Sequence, residues 1–201
     1  MYRAGDRPEI VTVPPANYVA VRGWGDPNTT DGTYQRALAV LYALAYTLKT
    51  SPRRGRAIPG FFDYVVPPLE GFWWQEGVDG ADYGRKADFH WISVLRLPAF
   101  VTEADFAWAA EDAARRKKLD CSAAELLAVE EGLCVQMLHT GPFETEPETV
   151  NVMDAFLAEN GYVNDLTDRR LHHEIYLSDA RKITPDRWRT ILRHPIRKIS
   201  P

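Results

Sequence analysis

The sequence predicts an α+β fold in which two strand-helix-strand-strand modules make an antiparallel sheet with helices on one face and a groove where the modules meet. Two segments carry most of this expectation: "EIVTVPPANYVAVRGWGDPNTTDGTYQRALAVLYALAYTLK", Glu9 to Lys49, and "ELLAVEEGLCVQMLHTGPFETEPETVNVMDAFLAENGY", Glu125 to Tyr162. Each reads as strand, tight turn, strand, a loop with Gly and Pro, then helix. The third observation is that the segments following each helix are rich in β-branched and aromatic residues, so each half closes with strands. At 201 residues the chain is expected to form a single domain, with modules of about 8–100 and 101–201, burying roughly 70% of its unfolded surface.

Taken in order, the turns "PPAN" and "EEG" break the paired strands of each repeat, and aligning Tyr18–Gly23 with Cys134–His139 brings Gly25 onto Gly141. A helix over Thr33 to Lys49 places Tyr34, Leu38, Leu41, Tyr42, Ala45 and Leu48 on one stripe that covers a sheet face. "FFDYVVPPLEGFWWQ" and "DFHWISVLRLP" read as strands, with "GVDGADYGRKA" as the loop between them. The next helix, Thr102 to about Lys118, opens with Glu103 and Asp105 and closes with "RRKK", as the helix dipole favours. In the second repeat Thr145 and Glu148 make a capping-box pair, Pro147 lies in the first turn and Asn160-Gly161 stops a helix whose core face is Met153, Phe156 and Leu157. A strand in "RRLHHEIYLSD", a short turn or helical piece at "TPDRW" and a last strand "TILRHPIRK" finish the chain.

Composition excludes several function classes. A net charge of −4 without a clustered basic excess argues against a nucleic-acid binder. The N-terminus lacks the apolar stretch of a signal peptide and no run approaches the ~18 apolar residues of a membrane span, so a soluble, cytoplasmic protein is expected. Cys121 and Cys134 have neither metal-ligand spacing nor a disulfide pattern, and neither is a strong nucleophile candidate. No phosphate-cradling Gly-rich loop and no nucleophile elbow occurs, and no cofactor is called for.

In "HHEIY", alternation sends His172, Glu174 and Tyr176 to one face and His173 and Ile175 to the other, so adjacent histidines cannot share a metal ion and no metal site is expected. His90, His139 and His194 have no ligand spacing and read as hydrogen-bonded structural or pocket-rim residues. Glu174 is a carboxylate in mid-strand, where Glu is depleted, and an unpaired buried carboxylate costs several kcal/mol. One reading makes it a structural ion pair with Arg181 or Arg193. The other joins it to the aromatic content, 11% with six Trp, as part of a pocket for a flat apolar or cationic ligand, with Glu70, Trp73, Trp74 and Trp91 as further contacts.

The blocks "LEGFWW" (Leu69 to Trp74), "EEGLCVQMLHTGPFETEPETV" (Glu130 to Val150) and "HHEIYLSDARKITPDRWRTILRHPI" (His172 to Ile196) resemble the GyrI-like small-molecule-binding family. The resemblance implies a pseudo-twofold, SOUL-like pair of modules with a ligand cleft between them, and Glu174 in that cleft. It adds His139, Phe143 and His172 to the expected ligand contacts. The combination of "LEGFWW" with the long C-terminal block resembles a standalone branch, the cyclopropanoid cyclopropyl hydrolases, which open the strained ring of DNA-alkylating natural products. On that resemblance Glu174 is the expected base and Tyr176 a donor to the substrate carbonyl or a holder of the water. The alternative is a non-catalytic binding protein for aromatic or cationic compounds.

Overall fold

A computed structural model describes residues 2–78 and 80–199. Its elements are β1 (Glu9–Val13), β2 (Ala16–Trp24), α1 (Thr33–Lys49), β3 (Glu70–Trp74), β4 (His90–Leu97), α2 (Glu103–Lys117), β5 (Ala124–Val129), β6 (Gly132–Thr140), α3 (Glu146–Glu159), β7 (Tyr162–Asn164), β8 (His172–Tyr176) and β9 (Arg189–Lys198). Short 3-10 turns occur at Ser51–Arg54, Tyr83–Asp88, Phe143–Thr145 and Pro185–Arg187. The class is α+β with antiparallel strand pairing. No helix among the described residues is long and apolar enough to cross a membrane.

The repeat is visible in the element order: β2, α1, β3, β4 in the first half correspond to β6, α3, β8, β9 in the second. Gly25 and Gly141, which the alignment superposes, both take positive φ, at 105° and 143°. The turns of the two repeats do not close hairpins, however. The chain divides into two compact units, residues 1–15, 68–89 and 130–201 in one and 16–67 and 90–129 in the other, and each turn hands the chain from one unit to the other. Thus β1 pairs with β6, while β5 pairs with β2.

In the smaller unit β2 is central, flanked by β4 and β5, which is why Tyr18, Val19, Ala20 and Val21 are all buried. Helix α1 has the expected bounds, but its buried stripe is Tyr34, Ala37, Leu41, Leu44, Ala45 and Leu48; Tyr42 is exposed and Leu38 only half-buried. The small residues Ala37 and Ala45 face inward because the helix lies close on β2 and β4. Helix α2 is capped by Thr102 and Asp105 in a reciprocal box. "FFDYVV" is not a strand: Phe61, Phe62 and Tyr64 pack around Phe100, and Pro67-Pro68 prevents a continuous ladder.

In the larger unit the strand order is β1-β6-β9-β8-β3, with β7 on the far end of β9. Helix α3 lies on β6 and β7 and contributes Met153 and Leu157 to a core with Val135, Leu192 and Ile196. The expected Thr145–Glu148 box is absent. Thr145 precedes the helix but its hydroxyl donates to Pro142 O at 2.8 Å, inside the preceding turn, and Pro147 and Asn160 hold the expected ends.

One face of β8 carries a fully buried charge network. His173 Nδ1 lies 2.9 Å from Glu131 Oε2, and Arg193 donates to Glu131 Oε1 at 3.0 Å and to Gln136 Oε1 at 2.8 Å. His173 Nε2 is 3.1 Å from Glu70 Oε2 but out of line for a hydrogen bond, so that contact is Coulombic. Tyr2 donates to the other Glu70 oxygen at 2.8 Å, and Phe72 stacks on the His173 ring. Burial opposes the imidazolium, but Glu131 and then Glu70 outweigh it and raise His173 to about 9. Its stabilisation is therefore fully present below the ordinary histidine value of about 6.5 and is lost as pH rises through about 9. Urea unfolding should give a stability lower at pH 9.5 than at pH 6 by up to about 3 kcal/mol, with the difference much reduced in Glu131→Gln. Equal pH dependence in the variant would remove the network as its source.

Candidate functional site

The opposite face of β8 presents His172, Glu174 and Tyr176. Glu174 is opposite Gly71 on β3 and Leu192 on β9, so both neighbouring strands fix its direction. A side chain at Gly71 would come within 2.5 Å of Trp73 Nε1 and 3.1 Å of Tyr176 Oη, and its absence lets Trp73 reach across to donate to Tyr176 Oη at 2.8 Å. Phe143 meets Tyr176 edge-on at 5.9 Å and lies against Trp188 at 4.8 Å, while Phe89 meets Trp73 at 5.7 Å. These rings form an aromatic wall beside the acidic group.

Glu174 pairs with histidine rather than with arginine. His172 Nε2 is 3.1 Å from Glu174 Oε1, whereas Arg193 serves Glu131 on the other face and Arg181 pairs with Asp179. Behind His172 runs a chain of hydrogen bonds whose directions can be assigned from its far end. Asn164 donates through its NH2 to Asp154 at 2.7 Å, so its carbonyl oxygen faces His194 Nδ1 at 3.3 Å. His194 therefore carries its proton on Nδ1 and accepts at Nε2, where His172 Nδ1 donates at 2.6 Å. Burial, and secondarily His172, push His194 down to about 3, so it stays neutral. The chain leaves His172 Nε2 aimed at Glu174 in a set orientation.

Glu146, the first residue of α3, is the acidic partner that was not singled out in the sequence. It is 2% exposed, and Tyr83 donates to its Oε2 at 2.9 Å. Its carboxylate, a His172 ring nitrogen and the Glu174 carboxylate offer ligand atoms that all lie within 4.8 Å of one another. Burial first, then the Glu174 charge, hold Glu146 well above the usual carboxylate range, and burial with the same two glutamates keeps the Tyr83 phenol protonated. Burial and the neighbouring Glu174 charge thus both favour the protonated form of Glu146. The first turn of a helix normally displays acids to solvent, and Glu144 and Glu148 beside it are exposed, so nothing in the local pattern marks Glu146.

The remaining expected contacts lie elsewhere. Glu70 points to the charge network on the other face, and alternation along β3 sends Trp74 the same way. His139 is buried inside the turn before α3, 2.8 Å from Thr149 Oγ1 and 3.2 Å from Pro142 O, where it braces the loop that delivers Glu146. Trp91 is buried in the smaller unit with its ring edge-on to Tyr34 at 5.1 Å. Cys121 and Cys134 are free and buried, and burial above all pushes Cys134 up to about 12.

A family model for the GyrI-like small molecule binding domain matches residues 6–197. The chain is similar to a crystal structure described as a hydrolase from Listeria innocua, with 43% identity, TM-score 0.88 and coverage of 98% of this chain and 94% of that one. A hydrolase encoded by lin2189 from the same organism gives 45% identity, TM-score 0.90 and coverage of 98% and 94%. The C-terminal domain of EcmrR, at 12% identity, TM-score 0.56 and coverage of 96% and 98%, shares the fold. No curated protein matches the chain.

An infrared difference spectrum at pH 7 should show the carbonyl band of a protonated carboxyl that disappears in Glu146→Gln and persists in Glu144→Gln. The same band in both variants would assign the proton to another residue.

Proposed function

The chain belongs to the GyrI-like small-molecule-binding family, and on that premise we propose that it is a hydrolase that adds water across the cyclopropane of planar, cyclopropane-bearing DNA-alkylating natural products. The observation that carries the reading is the buried Glu146, whose ionisation is raised, facing Glu174 beside an aromatic wall. Such a pair contains an acid and a base at once, as the two halves of the reaction require. The hydrolase descriptions of similar chains at 43% and 45% identity support the reaction class.

A cyclopropane conjugated to a dienone is electrophilic at its methylene carbon. Water attacks there, the carbon–oxygen bond forms, the strained carbon–carbon bond breaks, and its electron pair moves to the carbonyl oxygen as the ring becomes a phenolate. Glu174, oriented by His172, takes the proton from the water. Glu146 delivers its proton to the phenolate oxygen, and the pair then redistributes the proton that Glu174 has gained. Tyr83 holds the Glu146 carboxyl in place through Oε2. Trp73, Tyr176 and Phe143 supply the faces and edges against which a flat substrate stacks. Attack on DNA by the alkylator is pre-empted because the electrophilic carbon has been consumed.

Incubation of the protein with a cyclopropane-bearing alkylator should yield a product heavier by one water. Glu174→Gln should bind the compound but turn it over at least about 100-fold more slowly, since a positioned base contributes that much or more. In the wild type, turnover should fall as pH rises through the elevated Glu146 ionisation, because the active form carries that proton; Glu146→Gln should lose this alkaline limb along with most of its rate. Binding without water addition by the wild type would leave a binding protein for aromatic compounds, and full turnover by Glu174→Gln would remove Glu174 from the chemistry.

A further inference from the structure

Two ionised carboxylates cannot face one another in a buried site without something positive between them. The surroundings of Glu146 and Glu174 suit a metal cation in that role. Glu146 Oε2 is occupied by Tyr83, while its Oε1 is buried with no hydrogen-bond partner. His172 Nε2 and Glu174 Oε1, 3.1 Å apart, are close to the roughly 3.3 Å that separates two ligands around a tetrahedral ion with bonds of about 2.0–2.1 Å. His172 is also supported as metal-ligating histidines are: its other nitrogen donates to His194, which is tied in turn to Asn164 and Asp154.

We propose that Glu146, His172 and Glu174 form a binding site for a divalent transition-metal ion of the Zn2+ class, and that the bound ion, by engaging both carboxylates, shuts off the proposed acid–base pair. Two carboxylates neutralise a divalent charge in this buried place. One imidazole among three ligands selects a borderline ion over Mg2+ or Ca2+, which seek six or more oxygens. With the metal bound, Glu146 is held as a carboxylate with no proton to deliver and Glu174, its charge drawn to the ion, is too weak a base to activate water, so occupancy inhibits. The inhibitory consequence rests on the proposed hydrolysis; the binding does not.

The two are separable by experiment. Calorimetric titration of the chelator-treated protein with Zn2+ at pH 7 should give one site per chain. Glu146→Gln and His172→Gln should each weaken binding at least 10-fold. Asn164→Leu, which keeps all three ligands but cuts the chain behind His172, should weaken it about 10- to 100-fold. Circular dichroism of each variant confirms that it is folded before titration. In the turnover assay chelator-treated wild type should be fully active, and Zn2+ should inhibit with the midpoint seen by calorimetry. Absence of a one-to-one site, or wild-type affinity in both Glu146→Gln and His172→Gln, overturns the metal site whatever the turnover assay shows. Stimulation by Zn2+ overturns the inhibitory switch, and lack of any water addition by metal-free protein counts against the hydrolase reading alone.

Discussion

Strand β8 buries ionisable side chains on both of its faces, and each face has to balance its own charge. The cost of an uncompensated carboxylate in such surroundings is several kcal/mol, comparable with the net stability of a domain. On one face the balance is made with fixed ions: two carboxylates, Glu70 and Glu131, against the His173 imidazolium and the Arg193 guanidinium. On the other, burial and the Glu174 charge favour the protonated form of Glu146, and the His172 ring lies against Glu174. The first arrangement is rigid and closed. The second holds a carboxyl whose ionisation is raised beside a second carboxylate, the arrangement on which the proposed chemistry rests.

The surrounding elements follow from these two requirements. Strands β3 and β9 flank β8 and supply partners to both faces, Glu70 and Arg193 below, Trp73 and His194 above. The Gly71 position is small because Trp73 must cross it to reach Tyr176. Helix α3 begins where it does because the preceding turn, cross-linked by His139 and Thr145, aims the first helical side chain inward. Asp154 on the same helix anchors the far end of the histidine chain through Asn164 on β7. A single helix thus sets both ends of the polar group, which couples the position of Glu146 to the orientation of His172 beside Glu174.

Much of this was legible in the sequence. The repeat, the α+β class and the bounds of α1 follow from local patterns, because hydrophobic period and turn residues act within a few positions. Alternation alone separated His172 and Glu174 from His173. Where the local reading failed, longer-range packing had overridden it. "FFDYVV" has strand composition but spends its aromatic rings on Phe100, and Thr145 has the right spacing for a cap but bonds to Pro142 instead. The turns "PPAN" and "EEG" join strands whose partners are far away in the chain, which no turn residue can reveal.

What the sequence by itself determined is the identity of each face: which residues of "HHEIY" travel together, and that a carboxylate lies among them, since strand geometry alternates whatever surrounds it. What only the tertiary structure decided is who meets whom across the strands and from the helix. Glu146 is 28 positions from Glu174 and looks like an ordinary first-turn acid; it becomes an acid with a raised ionisation only when β6, its turn and α3 carry it into the same buried space. Proton affinity is a property of surroundings, and those surroundings come from segments that are distant in the chain.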